Sequence, residues 1–262
     1  MEWDLPAIVL DTRPYGEADL IATVMTGEHG AHKGLVRGGA SRAQGGIWQV
    51  GNFVQTRWTG RAAGQLGGFR GESIHATAAA VMDDALSLAM LSAICAVAED
   101  ALPEREPHPP VFEGLIHLLP RLILGATELP NLVAWEVVLL AALGFGLDIS
   151  TCAVTGVSEG LAYISPKTGR AVTAEAAGIW ANRLLPLPGF LTGGAAGLTN
   201  GEAGLTNGEA GSPAAWRDGL RLTGHFLARD VFGARHRPLP QARQMLYDRV
   251  AALAADSESS HA

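Results

Sequence analysis

Short apolar runs with a two-residue period dominate the first quarter of the chain. The clearest alternation places Val50, Asn52, Val54, Thr56 and Trp58 on one face. A period of two is typical of strands with one buried face. Weaker runs follow the same pattern at 7–10, 20–25, 34–36 and 65–74. Five short strands predict a small closed barrel, and five is the strand number of the OB-fold.

The spacing of apolar positions becomes helical near residue 76. It predicts helices over 78–99, 111–124, 132–145, 213–231 and 239–255, with a break at the proline-rich segment 103–110 and a kink at Pro120. The helix over 132–145 is almost entirely apolar and is therefore expected to be buried. The predicted fold is α+β, with an OB-fold barrel over 1–76 followed by a helical domain over 77–262.

Three segments do not follow either period. The glycine-rich stretch 38–46 is expected to form a flexible loop between strands three and four. The segment 148–190 is turn-rich and is expected to be an insert in the helical domain. Within 192–212, the heptapeptide Gly-Leu-Thr-Asn-Gly-Glu-Ala occurs twice in succession, which predicts a disordered, duplicated loop. The tail 256–262 is expected to fray.

Composition narrows the class of protein. The chain has 262 residues, of which 48% are hydrophobic and 17% charged, and this excludes a disordered chain. Two cysteines cannot form a disulfide framework. The first residues lack the features of a signal peptide, and no apolar stretch reaches the roughly 20 residues of a membrane-spanning helix. We therefore expect a cytoplasmic protein without a membrane partner.

The distribution of charge points to a polyanionic partner although the net charge is −7. No Asp or Glu lies between Glu28 and Glu72. Such an interval favours phosphate binding, since cations that neutralise phosphates release counterions. A solvated basic face without a partner is the alternative. The basic residues of the interval, and the predicted DNA-binding residues, are Lys33, Arg37, Arg42, Arg57, Arg61 and Arg70.

The same interval contains aromatic residues and two histidines. Trp48 lies in the predicted loop, where it could stack on bases, although a place in the barrel core is the alternative. His29 and His32 have a spacing that could offer two metal ligands. We expect them to be surface histidines, because no third ligand lies near them in the sequence beyond Glu28.

One motif of catalysis occurs by spacing alone. Ser158 lies at the centre of a G-x-S-x-G sequence, which in hydrolases forms a nucleophile elbow. An elbow needs a strand before the serine, and here the preceding segments are predicted helices. We therefore expect a simple turn, and an esterase-like hydrolase remains the alternative function.

Four segments in order resemble one family across nearly the whole chain. They are 7–42, 143–172, 184–191 and 222–243, and they are similar to the bacterial RecO family of DNA repair proteins. The resemblance implies an OB-fold, a helical domain with a small zinc-ribbon-like insert, and no catalytic activity. It implies binding of single- and double-stranded DNA, annealing of complementary strands, and contact with the acidic tail of single-strand-binding protein. It also implies loading of RecA together with RecR.

The chain departs from the family's zinc-binding pattern. Some members hold zinc with two Cys-x-x-Cys pairs, whereas here Cys152 is followed by Thr155, and the second pair falls at Ser165 and Thr168. One thiol of four is left, so we expect neither zinc nor another cofactor.

Arginines near the C-terminus could extend a DNA path or meet an acidic peptide. Ordinary surface arginines are the alternative, and a protein-only adaptor is the alternative for the chain as a whole. The arginines of this second predicted surface are Arg217, Arg221, Arg229, Arg235, Arg237 and Arg243, with Arg249 beyond them.

Overall fold

The computed structural model describes residues 1–60, 66–192 and 211–259. By the contacts between Cα atoms, the chain divides into two compact units, Met1–Ile123 and Leu124–Ala262. The first unit contains all strands of the predicted barrel together with the first helices. The predicted boundary at residue 76 falls inside this unit, where the last barrel strand gives way to helix.

Five strands close into a barrel in the order β1-β2-β3-β5-β4. Neighbouring strands are antiparallel except β3 and β5, which pair in parallel through Leu35 with Gly68 and Val36 with Phe69. This closed five-stranded barrel confirms the predicted fold class. The strands are β1 (Glu2–Tyr15), β2 (Asp19–Thr26), β3 (Gly30–Val36), β4 (Phe53–Thr59) and β5 (Gly68–His75).

The barrel core follows the predicted alternation. On β4, Val54, Thr56 and Trp58 are buried, while Gln55 and Arg57 between them are exposed. Successive side chains of a strand point to opposite faces, so one face of β4 fills the barrel and the other meets solvent. The buried core cluster comprises Ala7, Val9, Ala22, Val24, Val36, Trp48, Val54, Trp58 and Phe69.

The loop between β3 and β4 is held in place by Asn52, which is fully buried. Its side-chain amide donates to the carbonyls of Gly46 at 2.8 Å and Ile47 at 3.2 Å. Its side-chain oxygen accepts from the backbone N–H of Ala78 at 3.1 Å. A loop does join β3 and β4 over 38–46, and these hydrogen bonds hold its last residue, Gly46, and the backbone that leads to Trp48.

Three helices complete the first unit: α1 (Thr77–Val81), α2 (Ala85–Ala101) and α3 (Pro109–Leu118). Asp84 caps α2 by accepting from the backbone N–H of Ser87 at 2.7 Å. The chain continues from α3 as a 3₁₀ helix, Leu119–Glu128, which contains Pro120 without breaking there. The predicted kink instead falls at Gly125, whose φ of 70° and ψ of −140° only glycine adopts readily.

In the second unit, α4 (Leu129–Ala142) is almost wholly buried, as predicted. By length and composition alone, the helical stretch 109–142 could cross a membrane. However, 67% of its most apolar 18-residue segment is buried within the protein. The backbone at Gly125 also interrupts it. These features are those of a core helix.

A small three-stranded sheet in the order β7-β6-β8 lies in the predicted turn-rich insert. Its strands are β6 (Leu161–Ile164), β7 (Ala171–Thr173) and β8 (Leu185–Pro186), and α5 (Ala174–Ala177) follows β7. The last helices are α6 (Pro213–Phe226), a π-helical turn over Leu227–Phe232, and α7 (Gln241–Ser259). Most of the predicted duplicated loop, residues 193–210, lies outside the described residues, as does the end of the tail.

Candidate nucleic-acid interface

Arg37 and Arg70 line one cavity of about 760 Å³ on the barrel surface. The parallel pair of Val36 with Phe69 explains their proximity. Val36 and Phe69 both point into the core, so the residue that follows each of them in the sequence points outward. Both arginine side chains are exposed. The cavity therefore presents two guanidinium groups to solvent, and guanidinium groups bind phosphate in a bidentate manner.

Two other predicted cations are engaged by carboxylates. The Arg57 guanidinium contacts Glu2 on the neighbouring strand β1, and the Lys33 ammonium lies 2.6 Å from a carboxylate oxygen of Glu104. The interval between Glu28 and Glu72 contains no acidic residue in the sequence, but in the fold acidic side chains from other segments contact two of its cations. Arg57 still lies across from Arg70 in the strand register.

The remaining predicted DNA-binding residues have different fates. Arg42 is exposed in the loop after β3. Arg61 lies outside the described residues. Trp48 is 1% exposed and stacks on Phe69 in the barrel core, with 6.0 Å between the ring centroids. The proposed stacking of Trp48 on bases is therefore wrong, because neither face of its indole reaches solvent.

The N-terminal end of β1 forms a second cavity, of about 370 Å³, which the sequence reasoning missed. It is lined by Met1, Glu2, Trp3, His29, His32, Trp58 and Arg105. His32 is 6% exposed, which corrects the expectation of two surface histidines. The signal available in the sequence was the alternation of β3, whose inward positions include residue 32. Among the described residues, no group of three metal-ligating side chains could hold a metal ion.

The predicted second basic surface is reduced by pairing and burial. Arg243 is 1% exposed and forms a buried ion pair with Glu136, so its assignment to a DNA or partner surface is wrong. Arg217 binds Glu258 at 3.0 Å, and Arg229 binds Asp230 at 2.7 Å. The exposed arginines of the second predicted surface are Arg221, Arg229, Arg235 and Arg237, with Arg249 on α7.

The G-x-S-x-G sequence forms bends before β6 and not an elbow. Ser158 is exposed, and the element before its turn is α4, not a strand. His225 of α6 lies with Nε2 3.1 Å from the carbonyl oxygen of Pro166. The structure thus lacks, over the described residues, the strand–turn–helix geometry that a nucleophile elbow requires.

Cys152 is buried beside β7 and is held by hydrogen bonds. The backbone N–H of Thr173 donates to its sulfur at 3.4 Å, and the Thr155 side chain contributes another hydrogen bond. These bonds lower the pKa of the Cys152 thiol to about 6, with Thr155 the largest cause. Thr155, Ser165 and Thr168 stand at the other three positions of the family's cysteine pattern, and hydroxyl groups do not replace the thiolates or imidazoles that zinc needs, so the residues present do not fit a zinc ion.

Comparison with known proteins defines the class. Residues 1–77 match the model of the Recombination protein O N-terminal domain, and residues 82–239 match that of the C-terminal domain. A closed barrel followed by a helical domain is therefore the architecture of a recombination protein.

Three relatives that match almost the whole chain are each named DNA repair protein RecO. The DNA repair protein RecO of Granulibacter bethesdensis is 55% identical over 100% of both chains. The DNA repair protein RecO of Acidiphilium cryptum is 52% identical over 95% of this chain and 96% of its own. That of Gluconacetobacter diazotrophicus is 48% identical over 97% and 96%. The chain belongs to the RecO family of DNA repair proteins.

Proposed function

We propose that the chain is a DNA repair and recombination mediator whose barrel binds the phosphates of single- and double-stranded DNA. The single observation that carries this proposal is the joint exposure of Arg37 and Arg70 on one cavity. Arg42 adds a third exposed cation from the neighbouring loop. Readout of base sequence is not part of the proposal, because the helices in the described part of the chain include no evident recognition helix.

The mechanism is electrostatic and involves no catalytic step. Cations that neutralise phosphates on two strands lower the repulsion between those strands, and this favours pairing of complementary sequences. The proposal requires no metal or other cofactor. In this mechanism Ser158 is a turn residue, and the protein acts by binding.

Membership of the RecO family supports a set of proposed partners and a location. We place the protein in the cytoplasm at the nucleoid, where it would bind the acidic tail of single-strand-binding protein. With RecR it would help load RecA onto coated single-stranded gaps. The exposed arginines of α6, α7 and the segment between them are candidate contacts for an acidic tail.

The test is fluorescence anisotropy of a labelled single-stranded oligonucleotide, titrated with the full chain at several salt concentrations. We expect log K to fall linearly with log salt, with a slope of about −0.7 for each phosphate neutralised. A matched blunt duplex tests the double-stranded arm. Absence of binding to both at low salt would favour the protein-only adaptor, and turnover of an ester abolished by Ser158→Ala would favour the hydrolase.

A further inference from the structure

Aromatic rings build the walls of the 370 Å³ cavity at the N-terminal end of β1. The Trp3 and Trp58 rings stack with an interplanar angle of 14° and 6.1 Å between centroids. His32 meets Trp58 edge-on at 4.8 Å, and His29 lies 5.2 Å from Trp3. Trp58 is buried, whereas Trp3 is only partly buried. Trp3 therefore offers part of its indole to whatever enters the cavity.

His32 supplies an unsatisfied polar group to this cavity. Neither of its ring nitrogens has a hydrogen-bond partner among the described residues, although the side chain is buried. Leaving buried polar atoms unpaired is costly, and such atoms in native proteins call for an explanation. A ligand that bonds one of these nitrogens as it enters the cavity would provide one.

The protonation state of His32 defines what the ligand must offer. Burial is the largest cause that lowers the imidazole pKa, to about 4, and the positive charge of Arg105 adds to it. The ring is therefore neutral at pH 7, with one nitrogen donating and the other accepting. A flat heterocycle with both donor and acceptor groups on its edge fits a neutral imidazole between aromatic walls.

The cavity of Arg37 and Arg70, where DNA phosphates are proposed to bind, adjoins the aromatic cavity. Met1 lines both the aromatic cavity and the cavity of Arg37 and Arg70. The two cavities therefore adjoin at Met1, which allows one strand to place its phosphates in the first and a base in the second. A volume of about 370 Å³ lies within the range of small-molecule sites.

We propose that the cavity of Trp3, His29 and His32 receives one unpaired nucleobase of a DNA strand bound at Arg37 and Arg70. Trp3 stacks on the base, and His32 bonds its edge. This inference rests on the proposed DNA-binding function and adds to it a site for the base itself. Bases in a duplex are stacked and paired, so the site favours single strands and strand ends.

The experiment compares two labelled strands of equal length, one of thymidine and one of abasic spacer, which carry the same phosphates. The full chain is titrated with each by anisotropy at fixed salt. We expect about tenfold weaker binding of the abasic strand, because it offers no base that can stack on Trp3 in the cavity. His32→Phe keeps an aromatic ring in place but removes both nitrogens. We expect it to reduce this preference several-fold while leaving the salt slope unchanged.

His75→Phe is the matched control. His75 lies at the end of β5 that pairs with Phe53, outside the cavity, and its Nε2 is also buried without a partner among the described residues. This variant keeps the full preference for the base-bearing strand if the inference holds. Thermal melting of both variants checks that they fold.

The possible outcomes distinguish failure of this inference from failure of the proposed DNA-binding function. Absence of binding of either strand overturns the DNA-binding function and the inference with it. Equal binding of both strands overturns the inference alone, and so does a preference that His32→Phe leaves intact. A free deoxymononucleotide that binds as tightly as the strand would make this a nucleotide site and would also overturn it.

Discussion

Arg243 on α7 and Glu136 on α4 form a two-point ion pair inside the second unit, with each residue 1% exposed. The Arg243 Nε donates to Oε1 of Glu136 at 2.5 Å, and Nη2 donates to Oε2 at 3.0 Å. Thr223 of α6 also donates to this carboxylate, and Nη2 donates to the Leu220 carbonyl at 2.8 Å. A buried charge is tolerated here because its partner and additional hydrogen bonds surround it.

Removal of one partner of this pair is expected to destabilise the protein. Arg243→Met leaves the Glu136 carboxylate buried without its counter-charge, at a cost of about 3–5 kcal/mol in the free energy of unfolding. Urea denaturation measures this cost. Arg243→Met combined with Glu136→Leu should recover much of the loss. If the single variant weakened DNA binding at unchanged stability, Arg243 would belong to a binding surface after all.

Arginines that line the barrel cavity and arginines bound to carboxylates should differ in their effect on the salt slope of DNA binding. The double variant Arg37→Ala, Arg70→Ala is expected to flatten the slope for single strands by about 1.4, as each lost phosphate contact removes about 0.7. The control is Arg217→Ala with Arg229→Ala, which removes the same charge from arginines bound to Glu258 and Asp230. An equal flattening in both pairs would refute the assignment to the barrel.

Release of Arg57 from its carboxylate should strengthen DNA binding. Glu2→Gln removes the ion pair with Arg57 and leaves that guanidinium free for phosphate. We expect the slope to steepen by up to about 0.7. Glu17→Gln is the control: Glu17 is exposed in the turn between β1 and β2, and its substitution changes the net charge equally. The two variants should therefore differ, and anisotropy at several salt concentrations shows whether they do.

The buried His32 should titrate far below an ordinary histidine. Its imidazole, near His29, Arg105 and Glu104, has a pKa of about 4, against 6.5 for an exposed ring. The unfolded chain binds more protons between these two values, so stability is lost as the pH falls through that window. NMR titration of the ring measures the pKa directly. Denaturation at pH 7 and pH 5 should show a smaller pH dependence for His32→Phe.

Two glycines with similar backbone angles should differ sharply in their tolerance of alanine. Gly16 and Gly30 have φ of 66° and 62°, so both substitutions meet the left-handed strain of about 1–2 kcal/mol. A Cβ on Gly16 would meet nothing within 4 Å, but one on Gly30 would lie 2.0 Å from the Glu106 carbonyl oxygen. Gly30→Ala is expected to cost roughly a further 1–3 kcal/mol. If urea denaturation showed equal losses of unfolding free energy for the two variants, the contact with the Glu106 carbonyl would have relaxed without cost.

The barrel could be predicted because its information is local. The alternation on β4 and the change of period near residue 76 need only neighbouring residues, and both agree with the structure. Strand ends were less accurate: β1 extends from Glu2 to Tyr15, well beyond the predicted 7–10. Its first residues alternate between exposed Glu2 and Asp4 and half-buried Trp3 and Leu5, a period of two that the prediction did not use.

The candidate site could be predicted only in part, because charge spacing along the chain differs from charge spacing in space. The acid-free interval contains Arg37 and Arg70, which are exposed and line one cavity. It also included Arg57 and Lys33, which Glu2 and Glu104 bind from distant parts of the sequence. Trp48 followed a loop pattern, yet the loop folds its ring onto Phe69.

The sequence by itself determined the fold class, the family and the interval that carries the cations, since periodicity and ordered motifs are written along the chain. Tertiary structure alone decided which cations remain exposed, that Arg243 is a core residue, and that Trp3, His32 and Trp58 share one cavity. Strand register and burial produce these relationships. They depend on residues far apart in sequence, whose free energies of desolvation and pairing no local pattern contains.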